Sequence, residues 1–276
     1  MSAPTFTIQI CNYNHAQYLP QCLAGIRRQT FTDFEIVITD DGSTDGSPQI
    51  IAAAAKEDPR IKPHYFPKNQ GMMAASKNVS ERAQGRYVFS EGADDFILNE
   101  RFLEMAANAL EEHPNAAGFF AAAGLLSAEK NEVVGKFGVA AHEGYLAPTE
   151  CYRAILQGSM FVPGSSSIWR RDCIEEIGGF DFSLGPQIDF LINHALPSRH
   201  GAVYSSVAVT CQRIYQNASN FGSKGGTLWE AARRLEKIEQ RMREWAQPYE
   251  GMEEDWKVWR ARWTLEAIRT TGVRLT

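Results

Sequence analysis

Short apolar runs alternate with stretches of helical spacing through the first part of the chain. Phe6 to Cys11 and Phe34 to Thr39 are apolar with little alternation, as strands buried on both faces are. Between them, Leu19, Cys22, Leu23 and Ile26 recur at helical spacing, which predicts a helix over Tyr18 to Gln29. The same reading predicts a helix from Ser47 to Lys56, a strand from Ile61 to Phe66, a helix from Ala74 to Ala83 and a strand from Tyr87 to Ser90. A further helix runs from Asn99, its expected cap, to Glu111 and stops before Pro114. Repeated strand–helix units of this kind predict an α/β fold with a mostly parallel, doubly wound sheet.

Beyond Pro114 the pattern changes. Ala116 to Leu126 reads as a strand, Lys130 to Pro148 as an irregular excursion or hairpin, and Thr149 to Leu156 as a helix. The glycine- and serine-rich stretch Pro163-Gly164-Ser165-Ser166-Ser167 leads toward Trp169, a helix covers Ile188 to Leu196, and a strand covers Gly201 to Thr210. Asn217 to Thr227 has the composition of a mobile loop, suited to a lid. Two charged amphipathic helices follow, with stripes at Leu228, Ala232, Leu235, Ile238, Met242 and Trp245, and at Trp256, Trp259 and Trp263. Such stripes dock on a parent domain. With Arg260, Arg262, Arg269 and Arg274 beside them, they also suit an anionic membrane surface or a second copy in a homodimer.

A net charge of -5 argues against a nucleic-acid partner, which calls for a basic face. Five scattered cysteines without a Cys-x-x-Cys pair fit buried thiols in a reducing compartment better than disulfides or zinc ligands. With neither a signal-peptide pattern nor a membrane-length apolar run, the expected location is the cytoplasm, or the inner face of a membrane held peripherally.

Chemistry concentrates in two acidic doublets, Asp40-Asp41 and Asp94-Asp95, each directly after a predicted strand. In an open α/β sheet, ligands bind outside the carboxyl ends of the strands. Paired carboxylates there repel unless a cation or polar ligand offsets them, which suits a divalent metal bridging a nucleotide diphosphate. Asp41 is positioned to accept a hydrogen bond from a base or ribose. Ser43, Thr44 and Asp45 can cap the following helix.

Ile10-Cys11-Asn12-Tyr13-Asn14, the run Asp40-Asp41-Gly42-Ser43-Thr44-Asp45-Gly46-Ser47, Asn69-Gln70-Gly71, Ala93-Asp94-Asp95 and Gly178-Gly179-Phe180-Asp181 together resemble the inverting glycosyltransferases of family 2. The resemblance covers roughly residues 5–220. It implies a GT-A fold: a nucleotide-sugar-binding half, residues 1–115, and an acceptor-binding half, residues 116–222, around one sheet, with a C-terminal helical extension over 223–276. It also implies transfer of a sugar from a nucleotide-diphosphate donor, UDP- or dTDP-linked, to an acceptor hydroxyl on a glycan, a lipid-linked or a small-molecule acceptor, with Mn2+ or Mg2+ as cofactor.

Carried over by position, the resemblance puts Cys11 and Tyr13 beside the nucleobase, Asp41 on its edge, Asp94 on the ribose, Asp95 on the metal and Lys77 near the diphosphate. It implies Asp189 as the catalytic base, with Asp181 the competing carboxylate, and Ser166 and Trp169 at the acceptor. Trp169 suits the core equally well. Arg213 or Lys224 could neutralise the leaving diphosphate. Two positions depart from the family pattern: Gly92 stands where an aspartate often precedes the doublet, and Ile188 where an acidic residue often precedes the base. Two other classes stay open at this stage: a nucleotidyltransferase, though Asn12-Tyr13-Asn14-His15 is no glycine-rich phosphate loop, and a catalytically silent sugar-nucleotide or glycan-binding module.

Overall fold

In the computed structural model the described residues are 3–215, 228–245 and 248–271. The first part alternates as its apolar pattern requires: β1 (Phe6–Asn12), α1 (Leu19–Arg27), β2 (Phe34–Asp40), α2 (Ser47–Glu57), β3 (Ile61–Tyr65), α3 (Met72–Arg82), β4 (Tyr87–Gly92), the short β5 (Phe96–Ile97) and α4 (Phe102–Glu112). The second part holds β6 (Gly118–Ser127), β7 (Glu132–Phe137), β8 (Gly144–Leu146), α5 (Pro148–Gln157), β9 (Ser167–Arg170), α6 (Arg171–Glu176), α7 (Ile188–His200) and β10 (Ala202–Ile214), followed by α8 (Leu228–Trp245) and α9 (Met252–Thr271).

One sheet runs through both parts in the order β3-β2-β1-β4-β9-β6-β10-β5. Strands β1 to β4 of the first half pair parallel, with a helix at each crossover. The second half is mixed: β9 lies antiparallel between β4 and β6, while β10 runs parallel to β6. β5 pairs antiparallel with β10, so the turn between β4 and β5 is pinned against the far end of β10.

Alternation along β1 and β4 separates two cores. Ile8, Ile10 and Phe89 face α1 and α4, whereas Val88 and Trp169 face the helices of the second half. Ile238, Met242, Trp256 and Trp259 are fully buried in that second core, so both C-terminal stripes dock on the parent domain. Trp256 Nε1 donates to Tyr152 Oη at 3.0 Å, and the Phe190 and Trp263 rings meet edge-on at 4.4 Å. Among the described residues no helix is long and apolar enough to cross a membrane.

The Asn99 cap is corrected. Helix α4 begins at Phe102 with Arg101 at its cap position, and Asn99 Oδ1 instead accepts the Arg101 N–H at 2.9 Å. A short polar side chain bonding the backbone two residues on makes a turn, not a helix cap. The expected lid, Asn217 to Thr227, lies outside the described residues.

Candidate active site

The turn after β2 is tied together by its own carboxylates. Asp40 accepts from Asn12 Nδ2 at 2.7 Å, from the Ser43 N–H at 2.9 Å and from Ser43 Oγ at 2.7 Å. Asp41 accepts the Gln70 N–H at 2.7 Å on one oxygen and the Gly71 N–H at 2.9 Å on the other. Gly42 makes this closure possible: its φ is +68°, and a Cβ would sit 2.3 Å from the Lys68 carbonyl carbon. Asp45 accepts from Ala16 N–H and from Ser47 N–H, both at 2.9 Å, joining the β1 and β2 turns instead of capping with a long reach. Tyr13 projects from the end of β1 with its side chain exposed, open to a flat ligand.

The turn after β4 is less well satisfied. Asp95 Oδ1 accepts the Arg213 N–H at 2.7 Å, and Asp94 Oδ2 accepts from Tyr215 Oη at 3.1 Å. Burial, then the neighbouring Asp94, pushes the Asp95 carboxyl up to about 7. One strand position back, Glu91 is buried and neither carboxyl oxygen has a partner; burial, with Asp95 and Asp94 beside it, holds this group well above the usual carboxylate range. Gly92 explains its own departure. A Cβ there would lie 2.8 Å from Asp95 Oδ2 and 3.2 Å from Asp94 Oδ1, so a larger residue would displace the doublet from its present course.

A cavity of about 270 Å3 leads from this turn to α7, passing Cys11, Ser76, Gly92, Ser165 and Asp189. Asp189 sits in the first turn of α7, and its carboxyl packs so closely on Gly164 that a Cβ there would lie 2.4 Å from Oδ2. Burial pushes this carboxyl up to about 6, against the opposing bond from the Phe190 N–H at 2.8 Å. Nothing basic contacts it in the hydrogen-bond or ion-pair pattern of the described residues. It is therefore a carboxyl able to gain and lose a proton near neutral pH.

Three expected site residues lie elsewhere. Lys77 projects into solvent from α3 and pairs with Glu81 at 3.7 Å, because the helix turns its neighbour Ser76 toward Cys11 instead. Ser166 is fully buried, donating to the Ala121 carbonyl at 2.6 Å, and so holds the chain rather than an acceptor; Ser165 is the serine that faces the cavity. Trp169 is a core residue whose Nε1 donates to Asn193 Oδ1 at 2.7 Å, with one edge on the cavity wall. Arg213 is also committed. Its Nε donates to the Asp94 carbonyl at 3.0 Å, Nη2 donates to Gln21 Oε1 at 2.9 Å, and the guanidinium stacks on Tyr18. Lys224 lies outside the described residues. Asp181 is held by Lys237 at 2.5 Å and accepts from Ser183 Oγ, and it is absent from the cavity wall, which Asp189 lines. His194 bonds the Phe190 carbonyl at 2.6 Å, within its own helix, and burial lowers it to about 4.

The model of "Glycosyl transferase family 2" matches residues 7–178, which contain both acidic turns and the serine loop. The chain belongs to glycosyl transferase family 2. An uncharacterized glycosyltransferase of Haemophilus influenzae is 35% identical over 113 residues, 41% of this chain and 45% of that protein. The chondroitin synthase of Escherichia coli is 34% identical over 94 residues, 34% of this chain and 14% of that protein. The matching segments span less than half the length of these curated relatives. Among solved structures, S. aureus TarS in complex with UDP superposes with a TM-score of 0.74 at 18% identity, over 100% of this chain and 76% of the other. The mannosyltransferase PcManGT from Pyrobaculum calidifontis, in complex with GDP-Man and Mn2+, gives 0.61 at 16% identity, over 100% and 77%. These likenesses show the GT-A fold, and the family match shows membership of glycosyl transferase family 2.

In this family 2 chain the doublet offers oxygen ligands only, which suits a hard divalent cation. Among the described residues no three His, Cys, Asp or Glu side chains surround one metal position, so donor phosphates would have to complete the shell. The raised Asp95 carboxyl fits such a cation. Sequence reasoning missed His15, whose Nδ1 lies 3.9 Å from Asp94 Oδ1, and Tyr215. Both follow strands, but which turns converge depends on the β5–β10 pairing, which leaves no mark in either segment.

Proposed function

We propose that this chain is an inverting, metal-dependent glycosyltransferase using a UDP- or dTDP-linked sugar. The observation that carries the reading is the cavity that Glu91 and Gly92, which lead into the acidic turn, line together with the buried Asp189 carboxyl. Inversion needs a base on the face of the sugar opposite the leaving phosphate. The order of residues along the cavity supports that separation.

Tyr13 would stack on the nucleobase with Cys11 beside it, Asp41 would hold the Gln70–Gly71 loop against the nucleotide while its remaining lone pairs meet the base edge, and Asp94 would meet the ribose. Asp95 would hold Mn2+ or Mg2+, which supplies charge to stabilise the leaving diphosphate. Asp189 takes the proton from the acceptor hydroxyl as that oxygen attacks the sugar. Burial raises its proton affinity above that of an ordinary carboxylate, which suits a general base.

Calorimetry with UDP and Mn2+ tests the donor site; absence of binding would remove the UDP assignment. Replacing Asp189 by Asn should lower transfer by about 100-fold or more, the usual range for a lost general base, with UDP affinity nearly unchanged. Retained turnover in that variant would move the base elsewhere. Donor hydrolysis without acceptor separates an enzyme from a silent binding module, which would give none.

A further inference from the structure

The cavity holds polar atoms that the transfer mechanism does not use. Gln9 projects from the middle of β1 on the same face as Cys11, and is 4% exposed. Its Oε1 accepts from Ser90 Oγ at 3.1 Å, while its Nε2 is buried without a partner. Ser165 Oγ, across the cavity, is likewise buried and unpartnered. Groups of this kind are costly to leave dry, so their presence calls for a ligand that bonds them. The rest of the lining is mostly apolar, with Met72, Val79, Trp169, Phe180, Phe182 and Ile188 beside the smaller Ser76 and Ser80. The volume of about 270 Å3 equals that of roughly nine waters at about 30 Å3 each, room for one monosaccharide.

Resting on the reading of this chain as a nucleotide-sugar transferase, we propose that this cavity is a subsite for the acetamido group of an N-acetylated amino sugar carried by the donor. An acetamido group joins a methyl, which needs an apolar wall, to an N–H and a carbonyl, which need polar partners. A sugar bearing only hydroxyls would leave Phe180, Phe182, Met72 and Val79 facing polar groups. The amide of Gln9 can be turned over to present its oxygen instead, and the acetamido group satisfies either orientation, because it both donates and accepts. Ser165 supplies the second bond from the side of Asp189, so occupancy of the subsite also seats the ring against the base.

The test is titration of the whole chain, in the presence of Mn2+, with UDP-N-acetylglucosamine, UDP-glucose and UDP. UDP-N-acetylglucosamine should bind at least tenfold more tightly than UDP-glucose. Ser165→Val, which fills the site and removes the hydroxyl, should erase that difference and leave UDP affinity unchanged. Gln9→Met, which removes the amide at similar volume, should do the same independently, and unchanged UDP affinity shows that each variant is folded. Equal affinities for the two sugars, or tighter UDP-glucose, would overturn the subsite while leaving the nucleotide reading intact. Failure of all three ligands to bind would overturn the nucleotide reading and the subsite with it. A preference that survives both substitutions would also overturn the proposal.

Discussion

The two acidic turns share an Asp-Asp doublet after a strand and differ in electrostatic situation. Around Asp40-Asp41, five donors from the chain itself point at the carboxylates: Asn12 Nδ2, the Ser43 N–H and Oγ, and the Gln70 and Gly71 amides. Around Asp94-Asp95, among the described residues, the Arg213 N–H and Tyr215 Oη hydrogen-bond the carboxyl oxygens, and Glu91 adds a third buried carboxyl with no hydrogen-bond partner. The first turn is finished as folded; the second has fewer donors on its carboxyl oxygens, the Arg213 guanidinium being spent on the Asp94 carbonyl and Gln21. A doublet at a strand end thus identifies a place, and the count of internal donors distinguishes scaffold from ligand site.

The sharpest way to break this comparison is to neutralise one carboxylate in each turn. Asp95→Asn should lower transfer by at least about 100-fold, the several kcal/mol expected for lost stabilisation of the leaving phosphate. Its melting temperature should not fall, because burial already disfavours the Asp95 charge. Activity assays and a thermal scan on the same preparation check both halves. A marked loss of stability would mean that the second turn is scaffold too.

Asp40→Ala should do the reverse. It removes the acceptor of one Asn12 Nδ2 N–H and of the Ser43 amide in a partly buried turn, at about 1–3 kcal/mol per unsatisfied group. A loss of about 3 kcal/mol in urea denaturation is expected, or on the order of 10 °C at about 2–4 °C per kcal/mol. Stability equal to that of the parent would show that the bonds around Asp40 are not what closes the turn.

The pH dependence of transfer compares the second turn with the base. Asp189 is raised to about 6, so it is protonated and cannot accept a proton below that pH. Asp95 is raised to about 7 and must lose its proton to take a cation. The rate at subsaturating cation should therefore rise with pH through 6–7 and level off above. Saturating cation should shift the rise down toward the Asp189 value. A profile flat from the acid side through neutrality would contradict both assignments.

How much of this was legible beforehand follows the same division. Strand–helix alternation located β1 to β4 and α1 to α4 within a few residues, since strands buried on both faces carry an unbroken apolar signal. β5 was not legible as a strand: two residues hold too little pattern, and its pairing comes from a distant segment. The carboxylates were legible from their doublets, but their neighbours were not. Whether Ser165 or Ser166 faces the cavity depends on a 3-10 turn over Gly164–Ser166 that a run of serines does not specify. Likewise, Ser76 and Lys77 differ by one helical step, which decides between Cys11 and solvent.

The smallest expected effect concerns Glu91, on the core-facing side of the second turn. Alternation along β4 puts its side chain on the face of Phe89, and the residue also borders the cavity beside Gly92. Its carboxyl is raised well above its ordinary 4.5, by burial first and then by Asp95 and Asp94. Below pH 4.5 the group is protonated in both folded and unfolded chains and costs no ionisation energy. As pH rises past that value the unfolded chain releases the proton and the folded chain keeps it, so stability falls until the folded group ionises. Glu91→Gln should abolish that fall, with its advantage over the parent growing from pH 4.5 upward. Glu91→Leu should add about 1–2 kcal/mol more, because it also removes two buried oxygens without partners. Urea titrations of the three proteins across this pH range would show diverging curves. Parallel curves would mean that Glu91 is ionised in the folded chain, against what the geometry of the second turn indicates.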